Sequence, residues 1–141
     1  MAVSIASDLV SVIGENRILA KFGVDKINTH PRAGFKALMS ELKLHRNLDI
    51  TDLVFIIGPR INAAGRIAHG SEAVTLLIEE DYETALEKTK KVQQNNTDRK
   101  TLDKDITEEA FAMIDAEGVL IHKKSTVLYQ EHWHKGVIGI V

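Results

Sequence analysis

The segment from Asp81 to about Ala116 most constrains the fold of this chain, because its apolar residues recur at the spacing of an α-helix. These apolar positions are Tyr82, Ala85, Leu86, Val92, Leu102, Ile106, Ala110, Met113 and Ile114. The pattern predicts one amphipathic helix of about ten turns, or two helices broken near Asn95-Asn96. Residues 93–100 contain no apolar side chain. We therefore expect the middle of the helix to leave the core and to cross open space between two lobes.

Shorter helical patterns precede this segment and predict a helical lobe. They cover residues 3–13, residues 16–22, residues 34–44 and a stretch that begins at the N-cap Ser71. Gly23 is expected to end the second of these helices. Residues 50–57 fit either a strand or a helix, and the Thr51-Asp52 pair favours a helix that ends at Gly58-Pro59.

The pattern changes after Gly118, which is expected to close the long helix. Ser125 to Tyr129 is β-branched and apolar, which is typical of a strand. A Gly-containing turn over His132–Gly136 follows, and a new helix is expected from Val137. A strand, a turn and a helix start are the opening of an α/β unit. The predicted fold class is therefore predominantly α, within a longer α/β parent protein.

The stretch Gly58–Arg66 (GPRINAAGR) is the richest in chemistry. Arg60 and Arg66 supply guanidinium donors, Asn62 supplies a carboxamide, and residues 58–70 contain no acidic side chain. Glycines allow close approach of the backbone, and arginine forks match phosphate oxygens. The stretch therefore predicts a loop that binds a phosphate-bearing ligand; the structural alternative is a helix-to-helix connection whose arginines cap carbonyls or pair with carboxylates.

Composition limits the alternatives. The formal net charge of −2 gives no global attraction to nucleic acid, so any such binding must come from a local patch. Aromatic residues make up 5%, which argues against a base-stacking surface, and the absence of cysteine excludes a thiolate zinc site. No apolar run approaches the roughly 20 residues of a membrane span, and the first residues lack the basic region and apolar stretch expected of a signal peptide, so a cytoplasmic protein without membrane partners is expected. The apolar patterns at both ends suggest a piece of a longer polypeptide.

Two further positions are candidates for a site. Asp8 lies in an apolar run, where a carboxylate is costly unless it is paired or binds a cation such as Mg²⁺ or Mn²⁺; a helix cap or a pair with Arg17 is the structural alternative. His134, with Gly136 two residues later, fits a phosphate near exposed backbone N–H groups, whereas the alternative is a solvent-facing turn anchored by Trp133. A zinc site at His132 and His134 is disfavoured, since no carboxylate-rich motif accompanies them.

In order along the chain, three segments resemble RecJ, the single-strand-specific 5′-to-3′ DNA exonuclease family of the DHH phosphoesterase superfamily. They are Ser7–Val10 with Gly14–Arg17, then Gly58–Arg66, then Trp133–Val141. Asn95-Asn96 with Arg99-Lys100 looks like the interdomain helix of the same family. The resemblance covers essentially the whole chain.

The resemblance implies a division of the chain into the C-terminal part of a DHH-type domain (1–80), an interdomain helix (81–117) and the start of a DHHA1-type domain with its first strand (118–141). Asp8 falls where the family has its last metal-binding aspartate. Arg60, Asn62 and Arg66 fall in the motif that lines the interdomain groove, and His134 and Gly136 fall in the motif that opens the C-terminal domain.

The family's Asp-His-His signature and earlier metal-binding aspartates are absent here. Two-metal hydrolysis needs several converging carboxylates and imidazoles, so no complete catalytic set is expected in these residues. We therefore expect Mn²⁺ or Mg²⁺ to act in the full-length parent, with no tight metal binding and no nuclease activity by the 141 residues alone. Single-stranded DNA is the expected partner, and a single-strand-binding protein is a further candidate. The alternatives are a non-catalytic helical adaptor for an acidic partner, or a DHH enzyme acting on short oligonucleotides or cyclic dinucleotides.

Overall fold

The computed structural model describes residues 1–8, 10–116 and 125–141. In these residues the regular structure is helical. The elements are α1 (Ala2–Ser7), α2 (Gly14–Thr29), α3 (Ala33–Glu41), α4 (Ile50–Asp52), a π-helical turn (Leu53–Ile57), α5 (Gly58–Ile67), α6 (Ser71–Ile78) and α7 (Tyr82–Ala116). The predominantly α fold is therefore confirmed. None of the helices described is both long and apolar enough to span a membrane.

One hydrophobic core joins these helices. α7 packs along α5 and α3 and also contacts α6, while α1 packs on α2 and on the π-turn. The buried side chains of the core are Ala2, Val3, Ala6, Ile27, Ala37, Leu38, Leu48, Leu53, Ile57, Leu76, Ala85 and Val92. α7 contributes Ala85 and Val92 to this cluster, and both residues lie in its first half. The long helix is therefore attached to the core near its N-terminus.

The predicted long helix is confirmed, since α7 is unbroken over 35 residues. Its polar middle, however, does not cross open space. Asn95 and Asn96 are 7% and 1% exposed. Asn95 Nδ2 donates to Glu72 Oε2 on α6 at 2.9 Å, and Gln93 on the same stretch bonds to α5. The expectation of open space was wrong because α5 and α6 supply partners for Gln93 and Asn95, side chains that the pattern assigned to solvent.

Two boundaries near the N-terminus also differ from the prediction. α1 ends at Ser7 instead of reaching residue 13, and α2 runs through Gly23 to Thr29. A Cβ at Gly23 would lie 2.3 Å from the Cβ of Ala2. Close packing of α1 on α2 therefore keeps a glycine inside the helix, where the sequence pattern predicted a stop.

The helix that begins at Ile50 does not end at Gly58-Pro59. Gly58 has helical angles (φ −54°, ψ −48°), and its N–H bonds to the Leu53 carbonyl five residues back, the spacing of a π-helix. Pro59 brings no N–H of its own, and the Arg60 side chain reinforces the same turn by donating to the Ile56 carbonyl at 2.6 Å. The π-turn therefore carries the helix past a dipeptide that normally breaks it.

The predicted strand at Ser125–Tyr129 and the predicted helix from Val137 are not found. Val127 and Tyr129 are 94% and 76% exposed, and the described residues offer these positions no strand to pair with. Residues 135–140 form turns, and the Val137 side chain is fully buried. The predicted helix end at Gly118 lies outside the described residues; α7 is described to Ala116.

Candidate phosphate-binding site

The motif Gly58–Arg66 forms α5 itself and is not the loop that its glycines predicted. Helical geometry sorts its polar side chains onto two faces. Asn62 and Arg66 are four residues apart and share one face, whereas Arg60 lies on another. The motif therefore does not present its two arginines together.

Arg60 is directed toward α7. Its Nε donates to Gln93 Oε1 at 2.7 Å, and its Nη1 donates to the Ile56 carbonyl at 2.6 Å. Burial lowers the pKa of the Arg60 guanidinium from its usual value. Arg60 thus uses one donor to link α5 to α7 and another to cap a carbonyl of the π-turn.

Asn62 and Arg66 face a cavity of about 1030 Å³ between α1, α2 and α5. Its polar lining consists of Ser4, Ser7, Asp8, Lys26, Arg32, Asn62 and Arg66. Asn62 Nδ2 donates to the Ser7 carbonyl at 3.2 Å, which joins α5 to the end of α1. The structure therefore brings Asp8, Asn62 and Arg66, three residues singled out in the sequence, to one cavity.

Asp8 is exposed at the C-terminal end of α1, where the backbone leaves the helix in an extended conformation (φ −119°, ψ 160°). It is the acidic member of the cavity lining, and the described residues contain no cluster of three or more His, Asp or Glu side chains suited to a metal ion. One carboxylate supplies one hard oxygen ligand, so this donor set does not fit a two-metal centre by itself.

Lys26 and Arg32 are cavity residues that the sequence analysis missed. Both are exposed, and their side chains form no hydrogen bond or ion pair with the described residues. With Arg66, they bring the charged residues of the cavity lining to three cations and one carboxylate, that of Asp8. Lys26 comes from α2 and Arg32 from the start of α3, so no local spacing connects them to α5.

The C-terminal turn, His132–Gly136, contacts Arg66. Arg66 Nη1 donates to the Gly136 carbonyl at 3.2 Å, and the Gly136 N–H donates to His134 Nδ1 at 3.1 Å. A Cβ at position 136 would lie 2.1 Å from the Arg66 carbonyl oxygen, so this approach requires glycine. Arg66 thus lies between the cavity and the turn that carries His134 and Gly136, while Arg60 stays apart from both.

The geometry suits an anion, since an arginine fork and two nearby cations can pair with phosphate oxygens. Phe35 is the aromatic residue of its lining, so the cavity offers no row of aromatic side chains on which successive bases could stack. A ligand held here would be recognised through its charge, with little information about base sequence.

Comparisons with known proteins agree with the order of the motifs. No protein-family model matches the chain. The single-stranded-DNA-specific exonuclease RecJ of Bacillus subtilis is 33% identical over 145 residues, covering 99% of this chain and 18% of the relative. The protein of the same name from Haemophilus influenzae is 35% identical over 147 residues, covering 100% of this chain and 25% of the relative. The chain therefore spans about a fifth to a quarter of the length of these curated relatives.

A solved structure gives the same result at the level of the fold. The crystal structure of exonuclease RecJ bound to manganese superposes with a TM-score of 0.84 and 29% sequence identity, over 99% of this chain and 34% of that chain. The helical arrangement described above is thus similar to that of a segment of this RecJ structure.

Proposed function

Because the chain is RecJ-like over its whole length, we propose that it works as part of a 5′-to-3′ exonuclease that hydrolyses phosphodiester bonds of single-stranded DNA in repair and recombination. The observation that carries the proposal is the cavity where Asn62 and Arg66 of the matching motif meet Asp8. The substrate supplies a phosphate at every nucleotide, and the cavity supplies cations. We place the enzyme in the cytoplasm, with a single-strand-binding protein as a further candidate partner.

The domain assignment belongs to the same proposal. Residues 1–80 would form the end of a DHH-type domain, residues 81–117 an interdomain helix, and residues 118–141 the start of a DHHA1-type domain. The Arg66–Gly136 contact then joins the first of these units to the third.

Arg66 is the principal phosphate contact in this proposal. One of its donors is used by Gly136, which leaves the rest of the guanidinium for an anion in the cavity. Asn62 fixes the neighbouring backbone through Ser7, and His134 and Gly136 border the same arginine. Arg60, proposed from the sequence as a second contact, is better assigned to positioning α5 on α7, because its donors are engaged inside the protein.

Asp8 would provide one ligand to a Mn²⁺ or Mg²⁺ ion in the complete enzyme, with the remaining ligands supplied from outside these residues. When bound, such ions activate water and stabilise the in-line transition state of phosphodiester hydrolysis. The residues of this chain orient the strand: Arg66 holds a phosphate, and Asn62 holds the end of α1 that carries Asp8.

The contact at Arg66 is tested by Arg66→Ala in the complete exonuclease, with the affinity for single-stranded oligonucleotides measured across a salt titration. Losing one phosphate contact should weaken binding similarly for all sequences and should flatten the salt slope by about 0.7. Lys104→Ala is the control, since this exposed lysine on α7 lies outside the cavity. Wild-type affinity and salt slope for Arg66→Ala would show that the arginine is structural.

The role of Asp8 is tested by Asp8→Asn, which keeps the size of the side chain and removes its charge. Because the residue is exposed at a helix end, we expect the circular dichroism and melting temperature of the 141-residue chain to change little. Nuclease activity of the complete enzyme should fall on the order of a hundredfold or more. Retained activity with either Mn²⁺ or Mg²⁺ would remove Asp8 from the metal site.

A further inference from the structure

The carboxylate of Glu109 connects the C-terminal turn, His132–Gly136, to α7. Glu109 Oε2 accepts from the Trp133 indole Nε1 at 2.7 Å and lies 2.9 Å from His132 Nε2. The hydrogen bond from Trp133 is the largest cause, and that from His132 a further one, of a Glu109 pKa below its usual value. The charged carboxylate is therefore the form that matches this contact.

The other side of the same turn is held to α5. The Gly136 carbonyl oxygen accepts a hydrogen bond from Arg66 Nη1, and the Gly136 Cα lies too close to the Arg66 backbone to admit a side chain. Only two residues separate Trp133 from Gly136. The turn thus lies between an acidic anchor on α7 and a basic anchor on α5.

The neighbouring residue provides an internal comparison. Glu108 and Glu109 are adjacent on α7, yet Glu108 is 68% exposed and pairs with Lys104 on the surface of its own helix, whereas Glu109 is 35% exposed. The carboxylate of Glu108, one position earlier in the chain, pairs on its own helix and does not contact the turn. The helical phase of position 109 therefore decides the contact.

We propose that Glu109 is a positioning residue, which fixes the turn at Trp133 so that the Gly136 carbonyl meets Arg66 and orients its guanidinium toward the cavity. The functional consequence rests on the phosphate-binding role proposed above for Arg66. The positioning of the turn by Glu109 does not depend on that role, and it can be measured without DNA.

Trp133 is the only tryptophan of the 141-residue chain, so its fluorescence reports on this turn alone. In Glu109→Ala the indole loses its acceptor, and we expect a red shift of the emission and a loss of protection against acrylamide quenching. Glu109→Gln keeps an acceptor oxygen and should restore most of the protection; Glu108→Ala is the matched control and should behave as wild type. If Glu109→Ala leaves both signals unchanged with an intact helical circular dichroism spectrum, the proposal is overturned.

The link to Arg66 is tested in the same chain by a double-mutant cycle. Arg66→Ala should also increase quenching of Trp133, and the double variant should show less than the product of the two single effects, because both residues hold one turn. Independent, multiplicative effects would show that Glu109 does not act through the Gly136–Arg66 contact.

In the complete exonuclease, Glu109→Ala should weaken single-stranded DNA binding about three- to tenfold and should have no further effect in the Arg66→Ala background. A further loss in that background would contradict the positioning role. Wild-type affinity of Arg66→Ala itself would instead defeat the proposed phosphate contact, while the fluorescence cycle would still decide whether Glu109 positions the turn.

Discussion

At the scale of single residues, Asp52 shows how a nearly buried charged group is held by several hydrogen-bond partners. Asp52 is 5% exposed, yet it accepts from Arg46 through both oxygens at 2.6 and 2.7 Å and from the Asp49 N–H at 2.9 Å. The Asp49 side chain in turn accepts from the Asp52 N–H, which completes a capping box at α4. A nearly buried carboxylate is tolerated here because its lone pairs are used.

Arg46→Ala should lower the free energy of unfolding, because it removes both hydrogen bonds that Arg46 donates to a nearly buried carboxylate. The hydrogen bonds from Arg46 hold the pKa of Asp52 below its usual value. A depressed folded-state pKa contributes stability above the unfolded pKa of about 4, and that stability is lost as the pH falls through the folded value. The variant should therefore lose less stability on acidification than wild type.

Urea unfolding at pH 7 and at several values below pH 4 measures both effects. Lys43→Ala is the control, a nearby exposed cation that forms no ion pair with the described residues. An Arg46→Ala chain as stable as the control, with an unchanged acid dependence, would show that the capping box alone supports Asp52.

At the scale of elements, side chains of α7 that look solvent-bound join neighbouring helices. Glu72 on α6 receives Lys91 Nζ at 2.6 Å and Asn95 Nδ2 at 2.9 Å, and these two hydrogen bonds lower its pKa. The contact lies in the half of α7 that enters the core. The polar middle of the helix is thus part of its attachment to the body of the molecule.

Glu72→Ala should cost about 1–2 kcal/mol of stability, since the buried Asn95 loses its acceptor on α6. The change can be followed by thermal melting together with hydrogen exchange of the α6 amides, which should become less protected than those of α3. Glu80→Ala, an exposed carboxylate just beyond α6, is the control. Equal melting temperatures of the two variants would contradict the assigned link.

At the scale of the whole molecule, the described C-terminal residues attach to the helical body through close backbone contact. Val137 is fully buried, and Gly136 lies against the backbone of Arg66. Gly139, three residues later, has no atom within 4 Å of the position that a Cβ would take. The two glycines therefore allow a matched test of the attachment.

Gly136→Ala should displace the turn, because its Cβ would meet backbone atoms that cannot rotate away. We expect increased quenching of Trp133 and a loss of stability of about 1–3 kcal/mol, whereas Gly139→Ala should be close to wild type in both. Fluorescence quenching and urea unfolding provide the two measurements. Similar behaviour of the two alanine variants would show that the turn is not packed against α5.

The sequence by itself predicted what depends on neighbours along the chain. The apolar spacing from Tyr82 to Ile114 identified α7 because helical residues three and four apart share a face. It also identified α3 and the start of α6, and the order of its motifs identified the RecJ-like character. A repeating local pattern needs no knowledge of the rest of the molecule.

Tertiary structure decided what depends on partners that are distant in sequence. A Gly58-Pro59 break became a continuous helix through a π-turn, Asn95 and Asn96 became buried, and Ser125–Tyr129 formed no strand. The sequence also did not predict which residues line the cavity, since Lys26 on α2, Arg32 at the start of α3 and Arg66 on α5 share the cavity only in the folded chain. For Asn95, the missing strand and the cavity, the physical reason is that a hydrogen bond, a strand pairing or a convergence of charges requires a second element, whose position no local pattern contains. The π-turn differs, because its bonds lie within residues 53–60, where the Gly-Pro signal pointed to a break.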